Sequence, residues 1–166
     1  EGDVTFVVNG ETSFTMPASD VILTTNFTPN EYTVVFEANG GSFETGSTET
    51  FTAIYDQTYN VGDYIMGINR TGYTFEGFKI GSTSEIVDLE GSITNIATEG
   101  TITLTAQWTA NSFKVAYDKN NSKATGTMSN SNFTYDATNT LTLENFTYNG
   151  YTFMGWSQVS GATYDE

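Results

Sequence analysis

Few residues in this chain could do chemistry. It contains no His and no Cys. Imidazole acid–base catalysis, thiol nucleophiles and thiolate metal sites are therefore absent together. Carboxylates remain. Asp88 and Glu90 could be weighed as a hydrolytic acid pair, but nothing separates them from solvated loop charge. "DKNNSK", Asp118 to Lys123, offers the oxygen ligands that calcium prefers. Two lysines belong to it and the EF-hand spacing is missing, so a polar turn is the better reading. No catalytic residue, cofactor or metal site is expected.

The aromatic residues are more informative. "GYTFEGF", Gly72 to Phe78, returns as "GYTFMGW", Gly150 to Trp156. Tyr73, Phe75 and Phe78, with Tyr151, Phe153 and Trp156, could form a platform for sugar rings. At alternating strand positions, core packing is the stronger reading, with tyrosine hydroxyls at the core edge. Trp108 joins these residues as a core position. Asn-x-Ser/Thr sequons at Asn26, Asn69, Asn120, Asn132 and Asn145 are candidate glycosylation sites, although a chain rich in Thr and Asn produces some by chance. Lys114 lies in a strand between Phe113 and Val115, where an outward, solvated lysine is expected rather than a buried one able to form an isopeptide staple.

The elements that carry these residues read as β. Thr, Tyr, Phe, Val and Ile dominate the apolar and β-branched content, which favours pleated surfaces. Sixteen Gly against two Pro point to many tight turns. The net charge is −15, with only Arg70, Lys79, Lys114, Lys119 and Lys123 positive. Nucleic acid is a poor partner for such a surface, and no apolar run approaches a bilayer span. The opening "EGDVTFVV" reads as mid-domain, and no signal peptide is recognised.

Shifting the sequence by about 80 residues aligns more than the heptapeptide. "YTVVFEANG" from Tyr32 sits against "FKVAYDKNN" from Phe113, "AIYDQT" from Ala53 against "TYDAT" from Thr134, and "VILTTNFTPNEY" from Val21 against "ITLTAQWTANSF" from Ile102. Phe27 then faces Trp108, and Asn30 faces Asn111. The expected organisation is a closing hairpin and strand of a preceding repeat over 1–29, a complete module over 30–109, and a module lacking its closing strand over 110–166.

Alternation gives the faces. Tyr32, Val34 and Phe36 share one, followed by an Asn39-Gly40-Gly41 turn. Phe51, Ala53 and Tyr55 share one, as do Ile102, Leu104, Ala106 and Trp108. Tyr73, Phe75 and Gly77 alternate, with Phe78 opposite. Phe36, Tyr55, Phe75, Leu104 and Trp108 are expected in one core. "VTFVVNGETSFTM" is a hairpin candidate around Asn9-Gly10, and "MPASDVILTTNF" a following strand. "SEIVDLEGSITNIA" reads as a short crossover with one helical turn. The linkers "TPN" and "TAN" are short enough for a stiff rod.

"YTVVFEANGG…AIYDQT…GYTFEGF…LTAQW" closely resembles the internalin-type B repeat, also called the Listeria–Bacteroides repeat. Its pattern is a strand ending in Asn-Gly-Gly, a Gly-Tyr-Thr-Phe-x-Gly-Trp strand and a closing Leu-x-Ala-x-Trp strand. Phe78 replaces the usual Trp, which Trp156 restores. Asn120-Asn121 replace the double Gly, so that turn should differ. "SFTMPASDVILTTNF" resembles the closing segment of divergent members. The resemblance implies a mainly β fold: tandem small β-grasp-like modules with little helix, forming an elongated rod. It implies arrays in large secreted or wall-attached microbial proteins, and no catalytic residues.

The expected function is thus a non-catalytic stalk, spacer or fibre at the cell surface, cell wall or outside the cell. Its expected partners are adjoining copies of the same repeat, in one array or head to tail between chains, with 1–29 of one copy completing 110–166 of the adjoining copy. No nucleic acid and no membrane insertion are expected. One alternative is an adhesin module that binds a host receptor, glycan or wall polymer directly. Another is an accessory region of a secreted enzyme.

Overall fold

The computed structural model describes Ala18, Asp20, Ile22 and residues 25–158. The hairpin expected around Asn9-Gly10, and most of the strand expected up to Phe27, lie outside the described residues.

The fold is mainly β. Strands β1 (Glu31–Glu37), β2 (Thr48–Ile54), β4 (Tyr73–Ile80), β5 (Ile86–Val87) and β7 (Thr101–Ala110) form one sheet. Their spatial order is β2-β1-β7-β4-β5. β1 and β7 run parallel at its centre, and the other neighbours are antiparallel. The short strands β3 (Thr58–Asn60) and β6 (Ser92–Thr94) pair separately. A single 3-10 turn over Val61–Tyr64 follows β3.

One face of the large sheet carries the core. Tyr32, Val34 and Phe36 point into it from β1, as the period of two requires. Val34 lies opposite Phe51 on one side and Ile102 on the other, and Phe36 lies opposite Leu104. Ile80 and Ala106 extend the same surface. The second layer is the β3–β6 pair with its 3-10 turn. It supplies the buried Val61 and Ile93, and Tyr64 stacks on Phe51 with ring centroids 3.8 Å apart.

Three local expectations need correction. Phe78 does not oppose Phe75. The β4–β7 register jumps from Phe75↔Trp108 to Gly77↔Gln107, so Glu76 is an extra, bulged residue. The bulge returns Phe78 to the core face, where it is fully buried. Tyr55 does not belong to the core either. β2 ends at Ile54, and the chain turns at Asp56, whose φ is +66°. Finally, the segment after Ser84 holds no helical turn. It forms β5 and β6, which close the sheet edge and the second layer.

Beyond Ala110 the described chain forms a hairpin of β8 (Ser112–Val115) and β9 (Ser131–Thr134) and one bridge between Thr125 and Thr147. Ala124 is the single buried apolar residue among those described there.

Candidate functional site

The aromatic heptapeptide is the most information-rich stretch, and its geometry explains its spelling. Gly72 has φ +79° and Gly150 has φ +81°. Each opens a turn in which the following Tyr donates its backbone N–H to the carbonyl two residues before the Gly, Tyr73 to Arg70 at 3.1 Å and Tyr151 to Tyr148 at 3.0 Å. Gly77 at +127° directly follows the bulged Glu76 in β4, and Gly155 at +154° is its counterpart in the second motif, which lies outside any strand. Without a Cβ, both adopt a backbone few other residues tolerate. In β4 the bulge lets two aromatics three residues apart share a face, and the second motif brings its pair together without a strand. Phe75 and Phe78 meet at 5.0 Å and 64°, and Phe153 and Trp156 meet at 5.0 Å and 65°.

In the first copy every ring of the motif is engaged. Phe75 packs edge-on against Trp108 at 5.4 Å. The Trp108 indole N–H donates to the Ala38 carbonyl at 2.9 Å, and Asn39 Nδ2 donates to the Ala106 carbonyl at 2.8 Å. These bonds tie the Asn-Gly-Gly turn to β7. A Cβ on Gly41 would lie 2.5 Å from Trp108 Cζ2 and 2.6 Å from the Asn69 carbonyl oxygen, which accounts for the second Gly of that turn.

Tyr73 occupies the end of β4 and is held from several sides. The Arg70 guanidinium lies 3.7 Å from its ring centroid. Tyr135 meets it edge-on at 5.7 Å and 81°. Its hydroxyl donates to Asp136 Oδ2 at 3.3 Å. Tyr135 also lies over Gly72, where a Cβ would be 2.3 Å from a ring carbon. Asn111 stitches the same place. Its N–H donates to the Gly72 carbonyl at 2.9 Å, its carbonyl accepts from Tyr135 N–H at 2.8 Å, and its Oδ1 accepts from Thr74 Oγ1 at 2.6 Å. Sequence reading missed this junction. Its signal was the repetition of Asn30 as Asn111 and of Tyr55-Asp56 as Tyr135-Asp136, which core packing alone does not demand.

In the second copy the rings are open. Tyr151 is 70% exposed and Phe153 is 42% exposed, whereas Phe75 and Tyr73 are half-buried. Trp156 is half-buried against Tyr117, Phe146 and Phe153. Phe27, aligned with Trp108 by sequence, is 91% exposed.

The remaining candidates are dispersed. Asp88 and Glu90 sit apart from the aromatic motif, in the segment between β5 and β6. Asp118 Oδ1 accepts from Asn120 N–H at 2.6 Å, Asn121 Oδ1 accepts from Lys123 N–H at 2.9 Å, and Lys119 Nζ donates to the neighbouring Ala124 carbonyl at 2.8 Å, so "DKNNSK" is a turn closed by local hydrogen bonds. Among the described residues no group of three or more acidic residues is placed to hold a metal. Lys114 is exposed. The five sequon asparagines are exposed as well. Asn145 Nδ2 is engaged, donating to the Thr127 carbonyl at 3.1 Å.

The Listeria-Bacteroides repeat domain family matches residues 32–107 and again 113–165. The chain belongs to that family. The family model thus marks two copies of the repeat. A protein of Evansella cellulosilytica named "Putative membrane protein" is similar, 32% identical over 157 residues. That match covers 90% of this chain and 21% of the relative, so the chain spans about a fifth of its length. No solved structure matches. Among the described residues no helix is long and apolar enough to cross a membrane.

Proposed function

We propose that this chain is a non-catalytic structural segment of an extracellular or cell-surface microbial protein, serving as stalk, spacer or fibre. The observation that supports the reading is how the repeat motif is used. In the first copy its aromatics, its Asn-Gly-Gly turn and its glycines are occupied by packing and by contact with the next copy. A family whose recurrent residues serve the core and the joint is suited to carrying other domains at a distance. The family membership and the membrane-protein name of a much longer relative point to the same setting.

The experiment is to fuse one, two and three copies of the chain and follow maximum dimension by small-angle scattering. A constant increment per copy is the expected result. Saturable micromolar binding to a panel of wall polysaccharides and host glycans, lost in Tyr151→Ala, would replace this reading with the adhesin one. The exposed Tyr148–Tyr151 stack, with centroids 4.1 Å apart, is where that binding would begin.

A further inference from the structure

The junction between the two copies is built from a socket and a plug, and each half recurs elsewhere in the chain without its partner among the described residues. The socket is the turn at Gly72-Tyr73, with Arg70 backing the tyrosine ring. The plug is Tyr135-Asp136, at the tip of a turn where Asp136 has φ +59°. The second copy repeats the socket. Gly150 has the same φ as Gly72 within a few degrees, Tyr151 makes the same turn hydrogen bond, and Tyr148 stacks on Tyr151 where Arg70 covers Tyr73. One face of Tyr151 is thereby backed, and a Cβ on Gly150 would meet nothing within 4 Å. The first copy repeats the plug. Asp56 has φ +66°, and Tyr55 N–H donates to the Asn30 carbonyl at 2.9 Å, as Tyr135 does to Asn111 at 2.8 Å. Asp56 is further fixed by Asn95, whose Oδ1 accepts from its N–H at 2.6 Å and whose Nδ2 donates to its Oδ1 at 2.8 Å.

We infer that Gly150-Tyr151 and Tyr55-Asp56 are docking half-sites, and that the occupant of each is the complementary half of another repeat of this same kind. The engaged joint within the chain supplies the pattern: a tyrosine ring laid over a Cα without a side chain, a tyrosine hydroxyl on an aspartate, and an asparagine joining both backbones. Phe27 and Phe153 add a second matched pair, because they align in sequence with Trp108 and Phe75, which meet in the first copy, and both are exposed. A sugar or an unrelated protein has no reason to match a glycine turn and an Asp turn at once. A second repeat carries both.

This inference rests on the tandem-repeat reading above, and its test separates the two. Two full chains are fused end to end, which gives the half-sites a high effective concentration. The readout is the α-proton shift of Gly150, compared with that of Gly72. Tyr135 lies over Gly72, so a Gly72 α-proton is expected far upfield through the ring current. In the single chain the Gly150 α-protons should lack that shift. In the fusion those of the first copy should move upfield toward the Gly72 value. Tyr55→Leu in the second copy should abolish the movement, while Tyr55→Leu in the first copy should leave it intact. The two variants carry the same folding cost, so position in the array alone distinguishes them. Gly150 shifts that stay at their single-chain values in the fusion, or that respond equally to both variants, would overturn the joint. A spacer role would survive that result, and glycan binding with the joint formed would sink the spacer role and leave the joint.

Discussion

Tyr32 shows what a single atom does to this core. Its side chain is 2% exposed, and its hydroxyl is buried without a hydrogen-bond partner among the described residues. Burial pushes its pKa above the ordinary 10.0, and the nearby backbone of Ile96 and Asn95 opposes the shift without reaching hydrogen-bond geometry. A buried orphan hydroxyl loses water and gains nothing, at a cost of about 1–3 kcal/mol. Tyr32→Phe should therefore be neutral or stabilising in urea melts, by up to about 1 kcal/mol on the same grounds. The pH dependence has a definite sign. The folded state holds its phenol proton above the pH at which the unfolded chain releases it. Above about pH 10 the folded state then binds more protons than the unfolded one, so stability falls as pH rises. Tyr32→Phe should flatten that alkaline decline. A variant clearly less stable at pH 7, or with an unchanged decline, would mean that the hydroxyl has a partner.

At the scale of elements, the bulge in β4 decides which aromatics reach the core. Gly77 is pressed by its neighbours, and a Cβ there would lie 2.6 Å from Ile86 Cγ2 and 2.9 Å from the Val87 carbonyl oxygen. Gly155 is its counterpart in the second motif, which lies outside any strand, and a Cβ there would meet nothing within 4 Å. Gly77→Ala should cost about 2–4 kcal/mol, adding overpacking to backbone strain. Gly155→Ala should cost about 1–2 kcal/mol from backbone strain alone. Denaturant unfolding of the two variants checks the difference, and equal costs would argue against the packed bulge.

The same bulge marks the limit of the sequence. The rows of β1 and β7 were legible, because Tyr32, Val34 and Phe36, and Leu104 and Ala106, alternate without interruption. Strict alternation set Phe78 opposite Phe75, because one extra residue reverses every side chain after it. The Gly within "FEGF" was the available clue. Tyr55 was lost to a turn that has no Gly and instead places Asp56 at positive φ. β5 and β6, of two and three residues, are too short to show any period. Tyr73, Phe75 and Phe78 were legible as strand residues, whereas Tyr151, Phe153 and Trp156, expected at the same strand positions, lie outside any strand. The joint was not, because it depends on which turns a fold brings together.

At the scale of the whole molecule, the described part of the second copy has almost no core of its own, with Ala124 its one buried apolar residue. Its first hairpin leans on the first copy through Asn111, Tyr135 and Asp136. The joint should therefore set both the angle between copies and part of the hairpin's stability. An edge-on aromatic pair contributes about 0.5–1.5 kcal/mol, and each hydrogen bond adds about 0.5–1.5 kcal/mol net. Gly72→Ala tests this directly, since its Cβ would occupy the space of the Tyr135 ring. Gly150→Ala is the matched control, with the same turn, nearly the same φ and open space around it. Both carry the backbone strain, and only Gly72→Ala displaces the ring. Nitrogen-15 relaxation should show β8 and β9 tumbling with the large sheet in the unmodified chain and in Gly150→Ala. In Gly72→Ala their amides should reorient faster and exchange with solvent sooner, while those of β1 and β7 keep their protection. Tyr135→Ala should reproduce the effect without strain at the glycine. If β8 and β9 already tumble independently in the unmodified chain, the contacts at Tyr73 do not hold the copies together, and successive repeats would move as separate beads.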